Sequence, residues 1–249
     1  MRFSIAPIQI AITLLAANAV YSQQETDIAF RTLGWDTNLS GVYYPREDGY
    51  REIVVRDGIV SGFYPYQGPG EMPIFRKTIN EDTGIEEFNV IDRVALPSDS
   101  NQAILVFFKT KTAPEFKCIA YDDSLERVGS KDILITNFSP LALAFQIDDE
   151  ERFGLKPGEV RVLNIGDNTH AQIQLAVYRT GEWKAEYQTR LRVRDGKRYL
   201  PFFRDAAKRS PIGQGVEPIV LGESIETIRL AAKNPDASRE TGHLTGDAY

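Results

Sequence analysis

Between Ile133 and Phe203 the chain alternates apolar and polar residues in short runs, each closed by a turn. Ile133–Thr136 and Leu141–Ile147 are β-rich and separated by Asn137-Phe138-Ser139-Pro140, which predicts a turn or a strand crossover. Asp148-Asp149-Glu150-Glu151 interrupts the pattern as a solvated loop, and Lys156-Pro157-Gly158 turns the chain before Val160, Val162 and Leu163 resume it. His170–Tyr178 has the cleanest period of two, with Ala171, Ile173, Leu175 and Val177 on one face and Gln172, Gln174 and Ala176 on the other. Thr180-Gly181 predicts a hairpin, after which Trp183, Ala185 and Tyr187 are expected on one face. Asp195-Gly196 reads as a type I′ hairpin turn between Leu191–Val193 and Tyr199-Leu200.

The N-terminal half is also β in pattern. Ile28–Trp35 sets Ala29, Arg31, Leu33 and Trp35 against Ile28, Phe30, Thr32 and Gly34. Asp48-Gly49 and Asp57-Gly58 flank the β-prone Ile53-Val54-Val55, predicting a three-strand meander. Tyr64–Gly70 holds too many prolines and glycines for a central strand and is expected as an ordered loop or edge crossing. Met72–Lys77 and Phe88–Leu96 follow as strands, while Gln102–Lys109, apolar on both faces, predicts a central strand covered on both sides.

After Phe203 the pattern loosens. Arg204–Gly215 is turn-rich, Pro218–Leu221 could form a last strand, and Ser224 is placed to cap a short helix with Ile225, Ile228 and Ala232 on one face, a strand being the competing reading there. The fold expected is all-β and antiparallel: two immunoglobulin-like β-sandwich units, 23–125 and 126–233, a short C-terminal helix, and a flexible tail over 234–249.

Residues 1–22 have the anatomy of a secretory signal, with Arg2, an apolar core from Ile8 to Ala17 and small residues before the two candidate cleavage points, after Ala19 and after Ser22. That core is too short to span a bilayer, so no stable membrane insertion is expected once it is removed. A periplasmic or extracellular location follows. The net charge of −6 gives no general attraction for nucleic acid. Cys118 is the only cysteine, so the fold must stand on its core without an internal disulfide. Its place in Phe116–Tyr121 predicts a buried apolar residue rather than a nucleophile.

Cys118–Phe203, through Asp122-Asp123-Ser124-Leu125, Asn137-Phe138-Ser139, Leu155-Lys156-Pro157-Gly158, Gly181-Glu182-Trp183 and Arg198-Tyr199-Leu200, resembles a group of exported bacterial β-sandwich proteins of unassigned function. The resemblance covers about a third of the chain and implies a fold and a location, with no catalytic residue. More distantly, the region is similar to immunoglobulin-like extracellular modules.

The two histidines, His170 and His243, lack a Gly-x-Ser-x-Gly elbow or a zinc-binding spacing, so neither a Ser-His-Asp site nor a metal centre is expected. Nucleotide-binding glycine motifs are missing, and no cofactor is expected. Asp148–Glu151 lacks the spacing of a calcium loop. The candidate binding residues are Tyr43, Tyr44, Tyr64 and Tyr66, which with Tyr50 and Phe63 could present aromatic faces beside Asp48, Arg51 and Gln67; alternatively, alternate tyrosines fill the core. The function expected is a non-enzymatic binding or structural role in the envelope with a protein or glycan partner. The alternatives are a carboxylate-dependent carbohydrate-active enzyme on a jelly roll, recognisable by two acids across a cleft, and a module that adds a client strand to an open sheet edge.

Overall fold

A computed structural model describes residues 25–110, 116–205, 215–236 and 247–248. The expected signal segment, most of the turn-rich stretch 206–214, His243, and positions 237–246 and 249 of the expected tail lie outside them. The described chain is nearly all β, with four antiparallel-rich sheets forming two sandwich-like units and one short helix near the C-terminus. In chain order the strands are β1 (Glu25–Trp35), β2 (Leu39–Arg46), β3 (Gly49–Val55), β4 (Tyr64–Pro69), β5 (Glu71–Ile79), β6 (Glu86–Ala95), β7 (Gln102–Lys109) and β8 (Phe116–Asp122). There follow β9 (Asp132–Asn137), β10 (Leu143–Ile147), β11 (Glu151–Leu155), β12 (Val160–Asn164), β13 (His170–Arg179), β14 (Glu182–Arg192), β15 (Lys197–Asp205) and β16 (Val216–Ser224), then helix α1 (Ile225–Lys233) and β17 (Asp247–Ala248).

Sheet 1 has the order β4-β1-β7-β8, sheet 2 β3-β2-β5-β6, sheet 3 β12-β9-β15-β16-β17 and sheet 4 β11-β10-β13-β14. The buried side chains place them as successive layers. Val42, Ile53 and Ile74 of sheet 2 meet Phe30, Leu105 and Phe107 of sheet 1. Leu33, Ile104 and Val106, on the other face of sheet 1, meet Leu134, Leu200 and Phe202 of sheet 3. Ile133, Tyr199 and Phe203, from the far face of sheet 3, meet Phe145, Ile173 and Leu175 of sheet 4. Sheets 1 and 3 are therefore covered on both sides, which is why β7 is buried from Gln102 to Phe107 without alternation.

Several expectations change for local reasons. Asp195-Gly196 does not close a hairpin: β14 belongs to sheet 4 and β15 to sheet 3, so this turn carries the chain between sheets. Asn137–Pro140 crosses the other way, with the Asn137 amide donating to Leu141 O (2.8 Å) and Leu155 O (3.1 Å) to hold the bend. Glu151 opens a strand rather than ending an acidic loop, because β11 pairs with β10 along its whole length. Two central pairings, β1 with β7 and β9 with β15, are parallel. The Tyr64–Pro69 segment is an edge strand, where its prolines leave no internal ladder donor missing. Ser224 accepts from the Thr227 N–H to start α1, which buries Ile228 and Ala231 against Phe63.

Between sheets 1 and 3 the apolar layer ends in four buried charges. Arg31 Nε and Nη2 donate to Asp123 Oδ2 (2.8 and 2.6 Å), and its Nη1 and Nη2 donate to the two Glu223 oxygens (2.5 and 3.1 Å). Arg198 donates to Asp123 Oδ1 (2.7 Å), Asp123 O (2.8 Å) and Glu223 Oε2 (3.1 Å). Two cations and two anions thus leave no net charge, and every carboxylate oxygen is engaged. Arg31 also lies over the Phe63 ring, 5.1 Å from its centre. Arg31 comes from sheet 1, Arg198 and Glu223 from sheet 3, and Asp123 from the segment after β8, so the cluster ties one sandwich to the other.

Burial pushes the Glu223 pKa up, but the Arg31 and Arg198 charges outweigh it and hold the carboxyl below its ordinary value of 4.5. Burial likewise disfavours the Arg31 guanidinium, and Asp123 and Glu223 reverse that effect to raise its pKa. A depressed carboxyl contributes stability that is fully present above its unfolded value and lost as pH falls through its folded value. Thermal melting followed from pH 7 downward is expected to show a Glu223-dependent loss beginning below about pH 4.5. A Glu223→Gln variant with an unchanged acid limb would count against this account.

Candidate functional site

The four tyrosines separate into two layers. Tyr44, Tyr64 and Tyr66 point into the core between sheets 1 and 2, at no more than 2% exposure, and are closed to a ligand in this structure. Tyr64 stacks on Phe30 and accepts the Val54 N–H through its hydroxyl (2.9 Å), while Tyr44 meets Phe30 edge-on. The Tyr66 hydroxyl donates to Pro69 O (2.9 Å), and burial pushes its pKa up to about 12. Gly68 is needed here, because a Cβ would lie 2.8 Å from the Tyr66 hydroxyl. Only Tyr43 faces outward, with Tyr50, against Phe88; Tyr50 and Phe88 stack at 4.0 Å, so these rings cover one another. The structure does not bring the four tyrosines to one surface, because alternate residues of a strand point to opposite faces.

A better-formed surface lies on the outer face of sheet 4. Gly154, Ala144, Ala176 and Ala185 are neighbours in the ladder and make a row of small residues across all four strands. One pleat away lies a polar row in the same register: Arg152, Gln146, Gln174 and Gln188. On the other side stand Tyr178 and Trp183, 44% and 51% exposed, with ring centres 5.2 Å apart. The small residues leave a furrow of about 840 Å³ between the polar row and Trp183, within the size range of small-molecule sites.

A β-bulge makes this arrangement. Ala176 pairs with Ala185 but Leu175 pairs with Tyr187, leaving Glu186 as the extra residue of β14. Trp183 and Ala185 consequently face outward, whereas Tyr187 packs towards Phe203 in the core. This corrects the expectation that Trp183, Ala185 and Tyr187 share a face. Glu186 is held by Arg179 (3.1 Å) and by accepting the Val216 N–H (3.0 Å).

No protein-family model matches this chain, and no curated protein does. The reading of the site therefore rests on its residues. The acids of 148–151 are divided among separate tasks: Asp148 accepts the Gln172 N–H, Asp149 accepts from the Gln146 amide, and Glu151 pairs with Arg161. Among the described residues no group of three or more His, Cys, Asp or Glu side chains could hold a metal ion, and no helix is long and apolar enough to cross a membrane. Cys118 is buried, and burial followed by the nearby Asp92 charge raises its pKa well above the usual thiol value. His170 opens β13, its Nδ1 3.0 Å from Thr169 Oγ1.

Sequence reasoning passed over both the furrow and the charge cluster. The outward set Gln172, Gln174 and Ala176 was visible in the β13 alternation, but its β10, β11 and β14 neighbours required the ladder. Arg31 shares its apolar face with Leu33 and Trp35, and Arg198 shares one with Leu200 and Phe202. A cation on an otherwise apolar stripe was the available signal.

Proposed function

We propose that this chain is a non-enzymatic glycan-binding protein, exported to the periplasm or cell exterior, whose binding surface is the outer face of sheet 4. The observation that carries the reading is the exposed Trp183–Tyr178 pair beside a small-residue furrow and a row of side-chain amides. Sugar rings offer apolar C–H faces that lie on aromatic rings and hydroxyls that both donate and accept, and glutamine amides can answer either role. The row of Gly and Ala lets the ring approach the sheet closely. Export is supported by the signal-like pattern of residues 1–22. Hydrolysis is not part of the reading: among the described residues Glu186 is the only carboxylate lining the furrow, and it is already held by Arg179 and Val216, whereas most glycosidases use a pair.

Tryptophan emission tests this directly. The chain has two tryptophans, and Trp35 is buried while Trp183 is half exposed. Titration with an array of purified oligosaccharides is expected to shift the Trp183 emission for at least one class. Trp183→Ala is expected to weaken that binding about tenfold, the loss of about 1.4 kcal/mol being of the size of one aromatic contact. Binding that survives this substitution unchanged would place the site elsewhere.

A further inference from the structure

We infer that the glycan taken by the outer face of sheet 4 is acidic, a carboxylate-bearing oligosaccharide running along β13 and β14; this rests on the glycan-binding reading above. The chain is acidic as a whole, with a net charge of −6, and most of its surface arginines are already answered. Arg51 meets Asp236, Arg127 Asp122, Arg161 Glu151, Arg179 Glu186, Arg204 Asp36 and Arg229 Glu226. Arg93, Arg152, Arg190, Arg192 and Arg194 differ: all are exposed, and none of their guanidinium groups has a hydrogen-bond or ion-pair partner among the described residues. Three of them, Arg152, Arg190 and Arg192, lie on the outer face of sheet 4.

Their positions are set by the ladder. Arg152 lies opposite Gln146, Arg190 opposite Gln172, and Arg192 opposite His170, each beside an outward-facing residue of β10 or β13. Successive outward residues on a strand are about 7 Å apart. Along β13 and β14 the face therefore runs from the Tyr178–Trp183 pair, past the Ala176–Ala185 furrow and the Gln174–Gln188 pair, to Arg190 and Arg192. Asp148, beside Gln172, accepts the Gln172 N–H, and Asp149 accepts from the Gln146 amide.

An extended chain of sugar acids matches this order. Its apolar ring faces lie on Trp183 and Tyr178, its hydroxyls meet the amides, and its carboxylates meet guanidinium groups, whose planar fork suits a carboxylate bidentately. A neutral glycan would leave the arginine end unused.

The test compares short galacturonate, mannuronate and glucuronate oligosaccharides with their methyl esters, in which the chain is kept and the charge removed. At low salt at least one acid form is expected to bind about tenfold or more tightly than its ester, the fold-change for one charge-assisted contact. That preference is expected to shrink as salt is raised and to vanish in Arg152→Gln/Arg190→Gln/Arg192→Gln, in which acid and ester bind alike. Equal binding of acid and ester overturns the acidic ligand and leaves the glycan reading standing. If no acid or ester binds while other oligosaccharides do, the acidic inference alone falls. If nothing on the wider array binds, both fall. The triple variant keeps the wild-type circular dichroism spectrum if its effect is on binding, and the ester comparison needs no variant.

Discussion

Arg31→Met is expected to destabilise the protein by about 3–5 kcal/mol, the usual consequence of removing one partner from a buried ion pair. Two carboxylates then face Arg198 alone, in a layer where Arg31, Asp123 and Arg198 are all fully buried. The cost comes from the stranded anion rather than from the contact itself. Urea denaturation at pH 7, followed by circular dichroism, measures it. A loss under about 1 kcal/mol would mean that water reaches the cluster and replaces the guanidinium. The complementary experiment replaces Arg31, Asp123, Arg198 and Glu223 together with apolar residues of similar volume. Such replacements are often neutral or stabilising by about 1–4 kcal/mol, so recovery of stability in the fourfold variant would assign the charges to specifying how the sandwiches face each other.

Phe202→Ala is the second large effect, again expected at about 3–5 kcal/mol for a buried aromatic. Phe202 is 1% exposed, stacks on Phe138 with ring centres 5.5 Å apart, and meets the edge of Trp35 at 6.2 Å. Phe138 in turn touches Phe108 and Tyr121 of the first sandwich. This aromatic group and the charge cluster flank the same apolar layer, so the two substitutions probe different parts of one junction. Trp35 supplies a local readout: its near-ultraviolet dichroism should fall and its emission should move to longer wavelength as the cavity opens. Loss of stability without a change at Trp35 would show that the neighbouring rings close over the gap.

The period-two runs made the β class legible, and Ala103–Phe108 revealed a strand covered on both sides. Ser224 marked the start of the helix correctly because capping is a local property. The turns were harder to interpret. Asp48-Gly49 closes a hairpin, but Asp195-Gly196 carries the chain from one sheet to another; the dipeptide specifies a reversal of direction and contains nothing about which strand is waiting on the other side. The tyrosines show the same limit. Tyr43 and Tyr44 are adjacent and must face opposite ways, yet which faces the core depends on the layer above.

Among the described residues, the sequence by itself determined the all-β character, the places where the chain bends, and the face of β13 that must be buried, since these follow from residue conformation and side-chain period. Tertiary structure alone decided the layering of four sheets, the bulge that separates Trp183 from Tyr187, and the meeting of Arg31 with Glu223, 192 residues apart. Those features arise from pairings distant in sequence. A ladder contact depends on which strands come together, and local pattern constrains the strands without naming their partners.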